Sequence, residues 1–527
     1  MFETAELGQK ISKKEYDAVA GAMRIEMLEL QQRLRKFNLP VILVFAGVDG
    51  AGKSETVNTI NEWMDPRWMV THAYSEHSDV ERERPEYWRY WRDLPTKGQF
   101  GMFLSSWYSQ PVLDRVYKRT DEDKFENQLN RILAFEKMLC DDGALVIKFW
   151  MHLGKEAQRK RLKVLEKDPL QSWRITKTHW KHFEMYDRFI QVSERAIQRT
   201  STGPAPWTLV EGADSRYRIL KVMTVIRDLV TQHLDDTEVH LKAMAAAKAA
   251  EAKAAKAEAE AEAESKQEDE AETVDELVRR GREKVRGASV LANMDLTKAL
   301  DKKSYKVELS REQARLNGLY RRAQARGISS LLVFEGADAA GKGGAIRRTT
   351  AAMDARDVRV IPIAAPSEEE RRHHYLWRFW RHLSRAGKVT IFDRSWYGRV
   401  LVERVEGFAT ESEWRRAYAE INDFEEQLVQ HGIVLVKYWI QISDEEQLAR
   451  FKAREETPYK RWKLTDEDWR NRDKWGEYEN AVNDMVERTS THIAPWTLVE
   501  GNSKYYARVK VVRTYCDALE KALKNAG

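Results

Sequence analysis

The sequence predicts an α/β chain of two tandem domains, each a parallel sheet covered by helices on both faces. Three observations predict it. Short apolar runs alternate with amphipathic stretches. Two of these runs each feed a glycine-bearing loop that ends in lysine, Gly47–Lys53 and Gly336–Lys342. The segments that follow the two loops superpose at one fixed spacing. Strands that alternate with helices build a parallel sheet wrapped on both sides.

Lys342 follows Lys53 by 289 residues. The same spacing aligns Trp107-Tyr108 with Trp396-Tyr397, Phe135-Glu136 with Phe424-Glu425, and the identical strings Ala205–Gly212 and Ala494–Gly501. No gap is needed between the loop and that last string. So long a period marks a duplicated domain rather than a solenoid. The expected division is an N-terminal domain over 1–235, a linker over 236–288 and a C-terminal domain over 289–527, an intrachain pseudo-dimer that could also form homo-oligomers. The linker contains tracts such as Ala245-Ala246-Ala247-Lys248. They favour helix yet offer no apolar face and no a/d stripe, which reads as a solvated helical spacer.

A chain of 527 residues is too long for one ordinary core. Its 89 basic and 84 acidic residues leave a formal charge of +5, so any anion site must be a local patch and a nucleic-acid binder is not expected. Two cysteines give no disulfide framework, and no stretch has the length of a membrane span. A cytoplasmic protein that engages no membrane is the expectation.

The elements of the second half follow in order. A helix over Ser310–Arg326, matched by Lys13–Lys36 in the first half, leads to the strand Leu331–Phe334. The glycine loop follows, then a helix over Ile346–Met353. Val358–Ile363 is a strand, Glu368–Arg385 a long helix, and Val389–Phe392 a strand. A helix over Glu411–Gln430 precedes the strand Ile433–Ile440 and a charged helix over Asp444–Arg454. The strand Thr497–Val499 and a helix over Tyr505–Lys524 close the domain.

The chemistry concentrates in three places. In the loop, backbone N–H groups at Gly336, Ala340, Gly341 and Gly343 can crowd around phosphate oxygens. The following helix adds its positive N-terminus and Lys342 a full charge. Gly343 stands where the common phosphate loop has a Ser or Thr hydroxyl for magnesium. Asp338 lies inside the loop, where a carboxylate repels phosphate unless a cation intervenes; it is either a magnesium ligand or a turn-fixing residue. Next, the strand Val389–Phe392 ends in Asp393, which a parallel sheet would place beside the loop, either to hold or orient magnesium or simply to cap the next helix while the arginines stay solvated. Arg394 and Arg399 follow and could neutralise charge on a transferred phosphoryl group. Finally, Arg450–Lys463 is a basic helix interrupted at Pro458, readable as a lid over phosphates, with Arg450 and Arg454 one turn apart and Lys460 beyond. A basic series through Arg371, His374, Arg378, Arg381, His382 and Arg385 is either a track for a polyanion or a solvated face, and Leu376, Phe379, Trp380 and Leu383 are expected to pack.

Gly-x-Asp-x-x-Gly-Lys-Gly-Gly at Gly336–Gly344, Phe-Asp-Arg-Ser-Trp-Tyr-Gly-Arg at Phe392–Arg399 and the lid-like Arg450–Lys463 together resemble the polyphosphate kinase 2 family. The resemblance spans both halves. It implies a P-loop-kinase-like fold with a helical lid, and phosphoryl transfer between inorganic polyphosphate and a nucleotide with Mg2+ (or Mn2+) as cofactor. For the fused two-domain type it implies AMP as acceptor, with ADP or GDP as alternatives. By position, Asp338 and Asp393 would handle the metal, Lys342 and Arg394 would hold the phosphoryl group, and Arg454 would be the lid arginine. The loop and lid alone equally allow an ATP-dependent nucleoside monophosphate kinase, and a polyanion-binding module without turnover is a third reading.

The first half is expected to be silent. Its loop satisfies the full Gly-x4-Gly-Lys-Ser pattern, yet the matches of Asp393, Arg394 and Arg399 are Leu104, Ser105 and Gln110, and Leu165 replaces Arg454. Metal placement and charge compensation are lost together.

Overall fold

The computed structural model describes residues 1–170, 172–264, 289–456 and 466–526. The chain divides into two compact units: unit 1 comprises Met1–Glu76, Asp93–Ala271 and Arg371–His374, and unit 2 comprises His77–Arg92, Glu272–Glu370 and Tyr375–Gly527.

In unit 1 five strands, β1 (Val41–Gly47), β2 (Met69–Ala73), β3 (Phe100–Leu104), β4 (Leu145–His152) and β5 (Trp207–Glu211), form one sheet in the order β2-β3-β1-β4-β5. Unit 2 repeats it with β6 (Ser330–Gly336), β7 (Val358–Pro362), β8 (Val389–Asp393), β9 (Val434–Gln441) and β10 (Trp496–Glu500), in the order β10-β9-β6-β8-β7. All pairings are parallel. The central strands, covered on both faces, are continuous apolar runs, as in Leu331–Phe334, all 1% exposed or less. The loop-bearing strand sits in the middle, with β3 or β8 on one side and β4 or β9 on the other. That is the switch point outside which α/β sheets bind ligands.

One face of the unit 2 sheet packs under the helices Lys302–Ala325 and Lys504–Asn525, through Leu316, Leu319, Val511, Val512 and Leu519. The Lys302–Ala325 helix starts earlier than its apolar periodicity because Asp301 caps it, accepting from the N–H groups of Lys303 and Ser304. On the opposite face both units bury the same polar cluster. Lys437 Nζ donates to Glu425 Oε2 (2.7 Å), Tyr397 Oη (2.9 Å) and Thr489 O (2.8 Å). Lys148 does the same with Glu136 (2.6 Å), Tyr108 (3.1 Å) and Thr200 O (2.7 Å).

The long helix expected over Glu368–Arg385 is instead two short ones, Glu368–Arg371 and Trp377–Trp380. Tyr375, Leu376, Trp377, Phe379 and Trp380 are all buried. More than one helical face must therefore turn inward, and a single straight helix cannot present them all. Three arginines of the basic series are paired within unit 2: Arg378 with Glu370 (3.3 Å), Arg381 with Glu369 (3.1 Å) and Arg385 with Glu83 (2.6 Å).

The last helix of unit 1, Ser215–Glu264, continues into the Ala-rich tract; the remainder of the spacer, 265–288, lies outside the described residues, as does Lys460. Among the described residues no helix is long and apolar enough to cross a membrane.

Candidate phosphate-handling site

The site grows from the end of β6. Gly336 has φ 151°, and a Cβ there would stand 2.5 Å from the Ile440 carbonyl oxygen of β9, so only glycine lets the chain turn. The loop closes at Gly341, φ 108°, which caps the helix Lys342–Thr350. Lys342 folds back over the loop, donating from Nζ to Gly336 O (2.6 Å) and Ala337 O (3.3 Å).

Arg450 holds the loop from beneath. Its Nη1 donates to Ala339 O and Ala340 O (2.9 Å each), its Nη2 to Gly501 O (2.7 Å) and Asn502 O (3.0 Å), and its Nε to Glu446 (2.6 Å). All five guanidinium N–H groups are thereby engaged. Arg450 is thus a loop support, where the sequence placed it facing phosphate. Arg399 also lies elsewhere than expected: it pairs with Glu403 (3.0 Å) and Glu413 (3.7 Å), its guanidinium 4.6 Å from the Tyr375 ring centroid. Arg454 is in the last turn of the helix Asp444–Glu455, 5.9 Å from the Phe451 ring, just before the undescribed 457–465.

The structure brings Asp338 and Arg394 together. Arg394 Nη2 donates to Asp338 Oδ1 at 3.1 Å, and the Asn471 amide donates to Oδ2 at 2.8 Å. Gln447 Nε2 holds the Asp338 carbonyl at 3.2 Å. Burial pushes the Asp338 carboxyl up, but the Lys342 and Arg394 charges and the Asn471 hydrogen bond prevail and hold it below the ordinary carboxylate value.

β8 delivers Asp393 and Arg394. Asp393 pairs in register with Phe334 of β6, and Arg394 donates its backbone N–H to Phe334 O at 3.0 Å. Arg394 is in the left-handed region at φ 65°. Ser395 Oγ donates to Glu335 Oε1 at 2.8 Å. Glu335 is 5% exposed; burial pushes its carboxyl above the ordinary value, and the Asp393 charge adds to that against Ser395, Lys342 and Arg394.

Among the described residues no three His, Cys, Asp or Glu side chains form a metal cage. Magnesium does not require one: it is ordinarily held by one or two carboxylates with substrate oxygens and water. Asp338 in the loop and Asp393 at the end of the neighbouring strand offer hard oxygen donors of that kind. That donor set fits such a cation.

A cavity of about 110 Å³ opens from Glu335, Asp338 and Arg394 and runs to Trp439, Gln441 and Tyr478. Glu335 had a sequence signal, a carboxylate closing an otherwise apolar strand. Asn471, Gln447 and the cavity's far end had none.

In unit 1 the same geometry carries different side chains. Leu104 pairs with Phe45 as Asp393 pairs with Phe334, Ser105 has φ 51°, and Ala46 stands where Glu335 does. Lys53 folds over its loop as Lys342 does (2.6 Å to Gly47 O). Asp49 meets His182 Nδ1 at 2.9 Å.

Comparison with known proteins agrees with this picture. The profile described as Polyphosphate kinase 2 (PPK2) matches residues 10–241 and 299–527. The chain is 50% identical over 525 residues to a polyphosphate:AMP phosphotransferase of Pseudomonas aeruginosa, covering 99% of each. It is 35% identical to one of Acinetobacter johnsonii, covering 92% of this chain and 91% of that one. A crystal structure assigned to polyphosphate kinase 2 of Pseudomonas aeruginosa PA01 superposes with a TM-score of 0.83 at 47% identity over 99% of both chains. Two copies of one fold, each matched along its length by the same profile, place this chain in the polyphosphate kinase 2 family.

Proposed function

We propose that the chain is a polyphosphate:AMP phosphotransferase, making ADP from AMP at the expense of inorganic polyphosphate, and that unit 2 carries the chemistry. The full-length relatives bearing that name support the reaction. The observation that carries the choice of unit is the Asp338–Arg394 contact beside Asp393, with Leu104 and Ser105 in the matching places of unit 1.

In this reading the loop N–H groups, the helix N-terminus and Lys342 gather the oxygens of the terminal phosphoryl group. Arg394, on the next strand, offers a cation to the charge that builds in transfer, and Asn471 keeps Asp338 aimed at the loop. Asp338 and Asp393 would hold magnesium, which when bound neutralises phosphate charge and orients the chain end. Arg450 contributes by fixing the loop carbonyls, so that the N–H groups stay turned outward. Arg454, at the end of its helix, is the lid arginine in this reading. The transfer is a direct in-line displacement in which the AMP phosphate oxygen attacks and the shortened polyphosphate leaves, with no covalent enzyme intermediate.

The test is an acceptor panel with purified protein, magnesium and polyphosphate as sole donor. ADP from AMP, at rates well above those with ADP, GMP or GDP, is expected. ADP formed only when ATP is supplied would instead establish a nucleoside monophosphate kinase.

A further inference from the structure

The cavity beside the phosphate loop has a counterpart in unit 1, and there the chain has filled it. At the 289-residue spacing Leu291 matches Phe2, Trp439 matches Trp150, Gln441 matches His152 and Tyr478 matches Phe189. The Phe2 ring, 5% exposed, lies nearly parallel to His152 at 4.9 Å and 5.4 Å from Trp150. Phe189 covers Trp150 at 5.8 Å, and His152 Nε2 meets Glu6 Oε1 at 2.8 Å. An aromatic ring and a hydrogen-bonding carboxylate, both from the first residues of the chain, occupy the place.

Unit 2 has neither. Leu291 replaces the ring and lines an open cavity with Trp439, Gln441 and Tyr478. Asp295, the match of Glu6, turns to its own neighbour Thr297, accepting from the backbone N–H at 3.1 Å. Gln441 accepts from Trp439 Nε1 (2.7 Å) and donates to Ile442 O (3.0 Å). Among the described residues this leaves its amide one further N–H and one lone pair. A single water needs about 10–15 Å³ of such space; the 110 Å³ here admits a planar ring system. One end of the cavity is the phosphate loop and the other is aromatic with an amide edge. A ligand of matching polarity has phosphate at one end and a flat, hydrogen-bonding ring at the other.

We propose that this cavity takes the adenine base of the acceptor nucleotide, in the position that Phe2 takes in unit 1, with Gln441 reading the base edge. A side-chain amide matches the paired donor and acceptor of adenine N6 and N7. By the same geometry, Phe2 and Glu6 close unit 1 to nucleotides. The assignment rests on the phosphotransferase reading, and binding tests it separately from turnover.

The experiment titrates the full chain calorimetrically with AMP and with ribose 5-phosphate, which keeps the charged end and lacks the base. Wild type should bind AMP at least about tenfold more tightly, as base stacking implies. Leu291→Phe copies the unit 1 plug and should bring AMP down to the level of ribose 5-phosphate, with ribose 5-phosphate itself unchanged. Gln441→Leu, which leaves the cavity's shape intact, should weaken AMP about fivefold or more at unchanged ribose 5-phosphate affinity, and stands alone if the Phe variant does not fold. Equal binding of the two ligands by wild type, or AMP affinity within twofold of wild type in the folded variants, overturns the assignment. Tenfold discrimination without ADP formation from polyphosphate would uphold the base pocket and refute the reaction.

Discussion

Replacing Arg394 by glycine should separate activity from stability. Arg394 is in the left-handed region at φ 65°, a conformation that costs an L-residue roughly 1–2 kcal/mol and glycine almost nothing. Glycine gives back about 0.4–1 kcal/mol through a freer unfolded chain. The ion pair to Asp338 is lost as well. At 3.1 Å and an effective dielectric of 20, Coulomb's law alone would assign it about 5 kcal/mol. The Arg394 side chain is 44% exposed, however, and pairs so open contribute about 0.2–1 kcal/mol. The contributions nearly cancel, so stability should stay within about 1 kcal/mol, or roughly 2–4 °C in Tm for a unit of this size. Turnover should fall about 10²–10³-fold, the effect of removing one preorganised electrostatic group. The control is Ser105→Gly in unit 1, exposed and at φ 51°, which should gain a few tenths of a kcal/mol with unchanged kcat. The assay is ADP formation from AMP and polyphosphate beside thermal unfolding of both variants. Arg394→Gly retaining more than a tenth of wild-type kcat would refute the catalytic placement of Arg394. A Tm loss above about 8 °C would refute the strain argument.

Three further outcomes follow from the same geometry. Lys53→Ala should leave turnover within about twofold of wild type, because unit 1 has no strand-end carboxylate; a collapse of activity would show that unit 1 takes part in the reaction. Glu335 binds its proton more firmly folded than unfolded. Stability therefore falls as pH rises from the ordinary carboxylate range through its raised folded value, and stays lower above that window. Glu335→Gln, which keeps the acceptor for Ser395, should raise Tm at pH 8 and flatten this dependence in a pH series of melts; a lower Tm at pH 8 would contradict it. Lys437→Met strands the Glu425 carboxyl, 1% exposed, without its cation, at a cost of about 3–5 kcal/mol, and adding Glu425→Gln should recover most of that in denaturant titration.

The sequence by itself determined the duplication, the order of strands and helices, and the contiguous motifs that carry the candidate chemistry. Local physics suffices there. An apolar run closed by Gly336 and Gly341 builds its own turn, and a strand ending in Asp393-Arg394 must deliver both at the carboxyl edge of a parallel sheet. The sequence also shows where unit 1 departs from unit 2, since Leu104 and Ser105 can be read against Asp393 and Arg394 without any coordinates. What it could not determine is where each cation points. Arg450 and Arg454 are one turn apart on one helix, yet the backbone carbonyls of Ala339, Ala340, Gly501 and Asn502 capture the first, and those acceptors converge only after two distant loops fold against the helix. Arg399 likewise finds its partners in Glu403 and Glu413 rather than at the loop. Asn471 reaches Asp338 across 133 residues, and the buried aromatics break the helix expected over Glu368–Arg385. Charge and periodicity are properties of a segment, whereas direction belongs to whichever elements supply the unsatisfied acceptors and the apolar surface. Only the tertiary structure decided that, and with it the cavity that Leu291 leaves open and Phe2 fills.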